Sequence, residues 1–413
     1  MVEVLEKTRN YLQNKLIPFW QVRIVESEYG GFQTNYDRNG QRTEVTDKAL
    51  LTQVRCIFAI SHIMRMGFEW TGAEKALTQG IDFLFRYFKD EIHDGYYWMV
   101  ANNGDVIDDN KIIYGHSFLI YALAEYALLT GDESTRNEAV RIFNLLQEKV
   151  SDKVNGGYHE HFDRTFNLKK ARGDIASHKS LDVHMHLMEA FTTLYELTAN
   201  VEHRRALNET IELIFSKMVD SRTGTGIAMF TEDWQPIANV ELDTVWGRDR
   251  FDENGKATDI TSYGHNIELA WLYLHAQDIL GITREASRDL VIPIFEHTYD
   301  KGIDWDYGGL YVEGHREGDA TEVNKEFWQQ AEALVGFLDA YALTNDKKYL
   351  RAFKNIHDFV FNKMINWDQG EWFALLSRQG EVIWDYMGTH WKVCYHTLRG
   401  TCQVVKNLEK ILK

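Results

Sequence analysis

Asn155-Gly156-Gly157-Tyr158 is a glycine pair followed by an aromatic ring, and variants of it return along the whole chain. They are Tyr29-Gly30-Gly31-Phe32, Asp94-Gly95-Tyr96-Tyr97-Trp98, Thr223-Gly224-Thr225-Gly226, Tyr307-Gly308-Gly309-Leu310-Tyr311 and Gln369-Gly370-Glu371-Trp372. With Gly30, Gly95, Gly156, Gly224, Gly308 and Gly370 as markers, the spacings are 65, 61, 68, 84 and 62 residues. Self-similarity at a near-constant period marks a repeated supersecondary unit. Six units are present, and the interval after Gly224 is enlarged.

Between the markers, apolar residues recur at i, i+3, i+4 and i+7 over segments too long for strands. Each unit holds two such segments. The predicted helices are 2–23, 46–68, 73–90, 112–130, 135–150, 178–198, 202–218, 262–280, 284–299, 325–343, 347–364 and 391–411. Twelve helices in six hairpins predict an all-α fold, an (α/α)6 barrel with one helix of each pair lining an inner ring. Short aromatic runs after the glycines, such as GYYWMV and EWFALL, predict β-hairpins in the rim loops. An α-solenoid is the competing arrangement, but its repeats of about 34 to 47 residues are shorter. No Pro/Ser/Gly-rich linker divides the chain, so residues 1–413 are expected to form one catalytic domain.

Composition narrows the function. With 44% apolar residues in 413, the chain can bury a large core. Lys and Arg number 45 against 62 Asp and Glu, a net charge of −17, which repels phosphate backbones and argues against a nucleic-acid partner. No stretch reaches the roughly 20 apolar residues of a membrane span, and the most apolar run, 118–129, is broken by Glu125. The N-terminus lacks the apolar block of a secretory signal. Three cysteines without a CxxC fit a reducing compartment. A cytoplasmic protein with no membrane partner, acting as a monomer or weak homodimer, is the expectation.

If the even-numbered helices form the inner ring, their starts open onto one mouth. Polar residues that fit poorly on apolar helices gather there: Arg55, Tyr114, His116, Asp182, His184, His186, His265, Glu268, Trp328 with Glu332, and Trp391 with His396. Six helices presenting polar groups inward imply a wet, functional cavity. His265 and Glu268 are three apart and share a helix face, where a carboxylate can fix the imidazole's tautomer; a solvated surface pair is the alternative. Arg55 inside an apolar run needs an anion or an oxygen-rich ligand, or a salt bridge to an inner-ring carboxylate. His159-Glu160-His161 and His184-Met185-His186 look like ligand pairs, but HExxH is absent, so no catalytic metal is expected. Phosphate cradles and a GxSxG elbow are also absent.

These residues resemble the N-acylglucosamine 2-epimerase superfamily, which includes cellobiose and mannose 2-epimerases. The resemblance is carried by Tyr263-Gly264-His265-Asn266-Ile267-Glu268, by Trp328 through Phe337, by Gly308 through Gly314, by His186 through Ala190, and by Trp391-Lys392 with Tyr395-His396. It implies an (α/α)6 barrel without an organic cofactor. It also implies a small-molecule sugar substrate and D-mannose/D-glucose 2-epimerisation. In that chemistry a C–H beside the C1 carbonyl of an open-chain aldose is removed, an enediolate forms, and a proton returns to the opposite face.

By resemblance His265 and His396 are the catalytic pair, with Glu268 orienting His265. Arg55 and His186 hold the C1 and C2 oxygens, while Tyr114, Asp182, Trp328, Glu332 and Trp391 bind the sugar. Asp182 stands where the cellobiose enzymes have a pattern with Asn, and Cys394 where they have Pro. The long connection 219–261 carries an insertion at 242–257, expected to fold over the mouth near Lys325 and leave room for a monosaccharide. The alternatives are cellobiose 2-epimerisation and aldose–ketose isomerisation. From a different class, glycoside hydrolysis on the same barrel would need two opposed carboxylates among Asp182, Glu268 and Glu332.

Overall fold

The computed structural model describes residues 1–169, 178–238 and 258–413. Among them are twelve helices in chain order: α1 (2–21), α2 (Leu50–Arg65), α3 (73–88), α4 (Ile113–Thr130), α5 (133–150), α6 (Leu181–Thr198), α7 (201–218), α8 (Tyr263–Leu280), α9 (284–302), α10 (Phe327–Thr344), α11 (347–364) and α12 (Cys394–Ile411). The even-numbered helices pack in sequence, α2 on α4, α4 on α6, α6 on α8, α8 on α10 and α10 on α12, and α12 returns to α2. That return closes the ring, as an (α/α)6 barrel requires and an open solenoid forbids. Inner helices are buried along most of their length because they face both the barrel interior and the outer layer. Each outer helix carries one five-residue π turn, which in α3, α5, α7, α9 and α11 forms its last turn.

The predicted starts of most inner helices fall one to four residues too early, because short strands precede them. Lys48–Ala49 pairs with Met99–Val100, Lys111–Ile112 with His161–Phe162, Lys179–Ser180 with Met229–Phe230, and Lys325–Glu326 with Leu375–Leu376, all antiparallel. The aromatic runs GYYWMV and EWFALL thus supply rim strands, as expected. A Tyr36↔Gly388 bridge joins the first unit to the last. A buried lysine stands two residues ahead of five of the six inner helices, in four of them within the strand. Lys111 lies 3.0 Å from Asp90, Lys179 2.7 Å from Asp152, Lys325 3.1 Å from Asp304 and Lys392 3.2 Å from Glu371. Lys48 stands 3.9 Å from Glu26, and in the fourth unit Thr261 replaces the lysine and donates to Gly226 O.

A second repeated contact ties each glycine turn to the fourth residue of the following inner helix. The backbone N–H of Phe32 donates to Gln53 Oε1 (2.8 Å), that of Tyr96 to His116 Nε2 (3.0 Å) and that of Tyr158 to His184 Nε2 (3.0 Å). Gly226 donates to Asn266 Oδ1 (2.8 Å) and Leu310 to Gln330 Oε1 (2.7 Å). The last unit routes the contact through Glu371, which accepts from Trp372 N and from Thr397 Oγ1. Glycine is required at the turn for two reasons. Gly157 has φ 75°, and a Cβ there would sit 2.7 Å from His184 Nε2.

His116 and His184, grouped by sequence with the functional residues, are therefore structural acceptors. Their Nδ1 atoms donate to Ile112 O and Ser180 O, so each ring is neutral with a lone pair on Nε2. Burial pushes both down to about 4. The unfolded chain takes up these protons at its ordinary pKa near 6.5, so the stability they contribute is present above that value and is lost as pH falls toward 4. His184→Gln, the residue used in the first and fifth units, is expected to fold and to lose less stability between pH 6.5 and 4. The difference approaches ~1.4 kcal/mol per pH unit in that window, read from urea midpoints; equal acid sensitivity would contradict the assignment.

Candidate active site

Counting from the first residue of each inner helix, the sixth positions are Arg55, Phe118, His186, Glu268, Glu332 and Arg399. One turn into each helix, these side chains share one level of the barrel interior. The second and third positions, nearer the mouth, supply Tyr114, Asp182, Trp328 and Tyr395, and then His265 and His396. These three positions thus carry nine of the ten residues to which the family resemblance gives a role; the tenth, Trp391, lies just before α12.

Arg399 is the centre of the level. Its Nη2 donates to Glu268 Oε1 and to Glu332 Oε1, both at 2.8 Å, and its Nη1 contacts Glu189 and the Tyr395 hydroxyl. Burial and the neighbouring Glu332 raise the Glu268 carboxyl above its ordinary range. Glu332 is lowered despite its burial, by Arg399 and by His396. The pair therefore divides into a protonated and an ionised acid, a pattern that assigns roles at neutral pH.

His396 Nδ1 lies 2.7 Å from Glu332 Oε1, so the ring donates from Nδ1 and keeps its lone pair on Nε2. Burial, with Arg55 and Arg399 nearby, pulls it to about 3. His265, 24% exposed, faces the open end, with Nε2 3.6 Å from Asp182 Oδ1. The Trp328 ring lies 4.7 Å from His265 and 5.6 Å from His396, so both imidazoles share one indole wall. His186 is clasped by Asp182 (3.3 Å) and Glu189 (2.9 Å). Burial alone would lower it, but these two carboxylates lift it to about 9, which makes it an imidazolium at pH 7.

Arg55 has neutral partners. It donates to Tyr114 OH (3.0 Å), and its guanidinium lies over Phe118, Tyr395, Trp391 and Tyr114 at 4.3 to 5.7 Å. The salt bridge to an inner-ring carboxylate considered from sequence is not formed, because the aromatic box fills the space around the cation. Tyr114 stacks on Trp391 with ring centroids 5.8 Å apart.

Two expected roles change. Glu268 does not bond His265; its partner is Arg399, which reaches the barrel axis from α12, and the carboxylate beside His265 is Asp182. Glu332, expected as a sugar ligand, is fully buried with its oxygens taken by His396, Arg399 and Trp271 Nε1 (3.0 Å), so it positions His396. Glu189, Arg399, Tyr395 and Trp271 were missed. Arg399 was readable, since it repeats at the sixth position once helix starts are aligned. The insertion 242–257 lies outside the described residues.

Removing the central cation strands two buried carboxylates, Glu189 and Glu332, and leaves the Glu268 carboxyl without its donor. Arg399→Met is expected to cost about 3–5 kcal/mol of stability in urea unfolding. Glu268→Gln is expected to be at least as stable as the parent at pH 7, because an acid held protonated in the folded state loses stability as pH rises above its unfolded pKa. A large loss in that variant would show Glu268 to be ionised.

The N-acylglucosamine 2-epimerase (GlcNAc 2-epimerase) family profile matches residues 30–400. The cellobiose 2-epimerase of Bacteroides fragilis is 27% identical over 410 residues, covering 97% of this chain and 98% of that protein. The D-mannose isomerase of Marinomonas mediterranea is 21% identical, with 95% of each chain covered. The structure of cellobiose 2-epimerase from Bacillus thermoamylovorans superposes with a TM-score of 0.87 at 25% identity, covering 98% of this chain and all of that one. With a neutral imidazole, an imidazolium and an arginine gathered inside the barrel, and the family profile matching nearly the whole chain, the chain belongs to the N-acylglucosamine 2-epimerase family and is a sugar 2-epimerase.

Proposed function

We propose that the protein interconverts D-mannose and D-glucose without a cofactor. The reading is carried by two imidazoles, His265 and His396, on one Trp328 wall, beside Arg55, which donates to the Tyr114 hydroxyl, and the His186 imidazolium held by Asp182 and Glu189. One imidazole removes the C2 proton of the open-chain aldose and the other returns a proton to the opposite face. His396 is neutral before the sugar binds, and negative charge developing on the enediolate offsets Arg55 and Arg399, raising its basicity as the reaction proceeds. Arg55 and the His186 imidazolium bind the C1 and C2 oxygens and stabilise that charge. Trp328 and Trp391 pack on the C–H faces of the sugar, Tyr114 braces Arg55, and Asp182 holds His186 and His265 in register.

Asp182 and the enlarged interval before Gly308 support a monosaccharide. The names of the relatives favour a second reading, epimerisation of cellobiose, with the same residues and a more open mouth. Glycoside hydrolysis is poorly supported. Glu268 and Glu332 share one guanidinium, whereas hydrolysis needs two carboxyl groups flanking a bond.

The test is incubation in D₂O with D-mannose and separately with cellobiose, followed by NMR. Glucose carrying deuterium at C2, with cellobiose unchanged, is the expected result. Rapid epimerisation of cellobiose would establish the second reading, and fructose as main product would make the enzyme an isomerase. Shortening residues 246–256 is expected to raise activity on cellobiose relative to mannose, and an unchanged ratio would remove the lid. Because His186 acts protonated with a pKa raised to about 9, kcat/KM should fall as pH rises through about 9.

A further inference from the structure

The rim ahead of α6 holds a second convergence of ionisable groups, which the sugar chemistry does not use. Glu160, His161 and His178 are all buried, with one potential ligand atom from each lying within 4.8 Å of the others. His178 Nε2 is 3.3 Å from Glu160 Oε2, and the two imidazole rings are 5.2 Å apart at an interplanar angle of 33°. Glu160 is itself held in place: Ser180 donates to it from both backbone N–H and hydroxyl, and the same serine caps Val183 in the first turn of α6.

We propose that Glu160, His161 and His178 form a binding site for one divalent transition-metal ion of the zinc class, separate from the sugar pocket. Two imidazoles and a carboxylate are the donor set such ions prefer over magnesium or calcium. Tetrahedral bonds of about 2.0–2.2 Å place ligand atoms roughly 3.4 Å apart, so small rotations of the two rings close the site. Ser180 fixes the carboxylate from behind, as metal-ligating carboxylates require. His161 belongs to a rim strand and His178 directly precedes Lys179–Ser180, so an ion joins two chain segments 17 residues apart at the base of α6. That helix carries Asp182 and His186. The ion therefore acts as a clamp on the start of α6 and takes no part in proton transfer. The other convergence, Glu268, Glu332 and His396, already holds a cation, since Arg399 bonds both carboxylates.

The test uses the full chain freed of metal with a chelator. Zinc is titrated by calorimetry, bound metal is counted after desalting, and the melting midpoint is followed with zinc and with magnesium. Expected are one zinc per chain and a midpoint that rises with zinc concentration but not with magnesium. Binding and the rise should be lost in His161→Ala and His178→Ala and retained in His396→Ala. Should either alanine variant fail to fold, visible absorption of cobalt(II) bound to the parent chain and to His396→Ala reads the site without altering it. Absence of stoichiometric zinc or cobalt in the parent overturns the proposal. So does binding that survives loss of His161 and His178 but disappears with His396.

Discussion

A single guanidinium, that of Arg399, makes the polar interior of the barrel possible. Glu189, Glu268 and Glu332 approach it from α6, α8 and α10, at depths where an uncompensated carboxylate would cost several kcal/mol. One cation among three acids leaves a proton to be kept, and Glu268, fully buried and beside Glu332, keeps it. Glu332 stays ionised and fixes the His396 tautomer, while Glu189 stays ionised and holds His186 charged. The protonation states of two imidazoles, His396 nearer the mouth and His186 at the level of Arg399, are thus set by the sharing of a buried charge.

The same residue type is put to opposite uses by position in the helix. At the fourth position, histidine receives a backbone N–H on Nε2, so it is neutral and structural; glutamine or asparagine replaces it in three other units, and Thr397 acting through Glu371 in the last. At the sixth position, His186 has carboxylates on both ring nitrogens and is charged. At the third position, His265 and His396 stand against Trp328 near the open end. A shift of one or two residues along a helix separates a turn anchor from a group suited to proton transfer or charge stabilisation. Neighbours decide which, through burial and hydrogen bonds.

Recurrence of the glycine pair predicted six units, and helical periodicity between the markers predicted two helices in each, because both are local properties of the chain. The predicted helix starts fall too early because the short strands ahead of most inner helices are set by pairing with distant loops, a contact that local periodicity does not carry. The candidate residues were recognisable as polar groups in apolar helices. Arg55 is expected from sequence to meet an anion or oxygen-rich ligand, or else an inner-ring carboxylate; the carboxylate alternative fails because Arg55 sits in an aromatic box from α4 and from the start of α12 with the segment before it, regions far apart in sequence.

The sequence by itself determined the repeat number, the helix pairing and the identities of the polar side chains on the inner helices, while the packing of α12 on α2 closed the ring. Tertiary structure decided which of them touch. Glu268 pairs with Arg399 across the barrel rather than with His265 on its own helix, and Glu332 supports His396 rather than meeting substrate. The physical reason is that local periodicity sets the face on which a side chain lies. Its hydrogen-bond partner and protonation state depend on charges brought from other helices, and those become neighbours only when the ring closes.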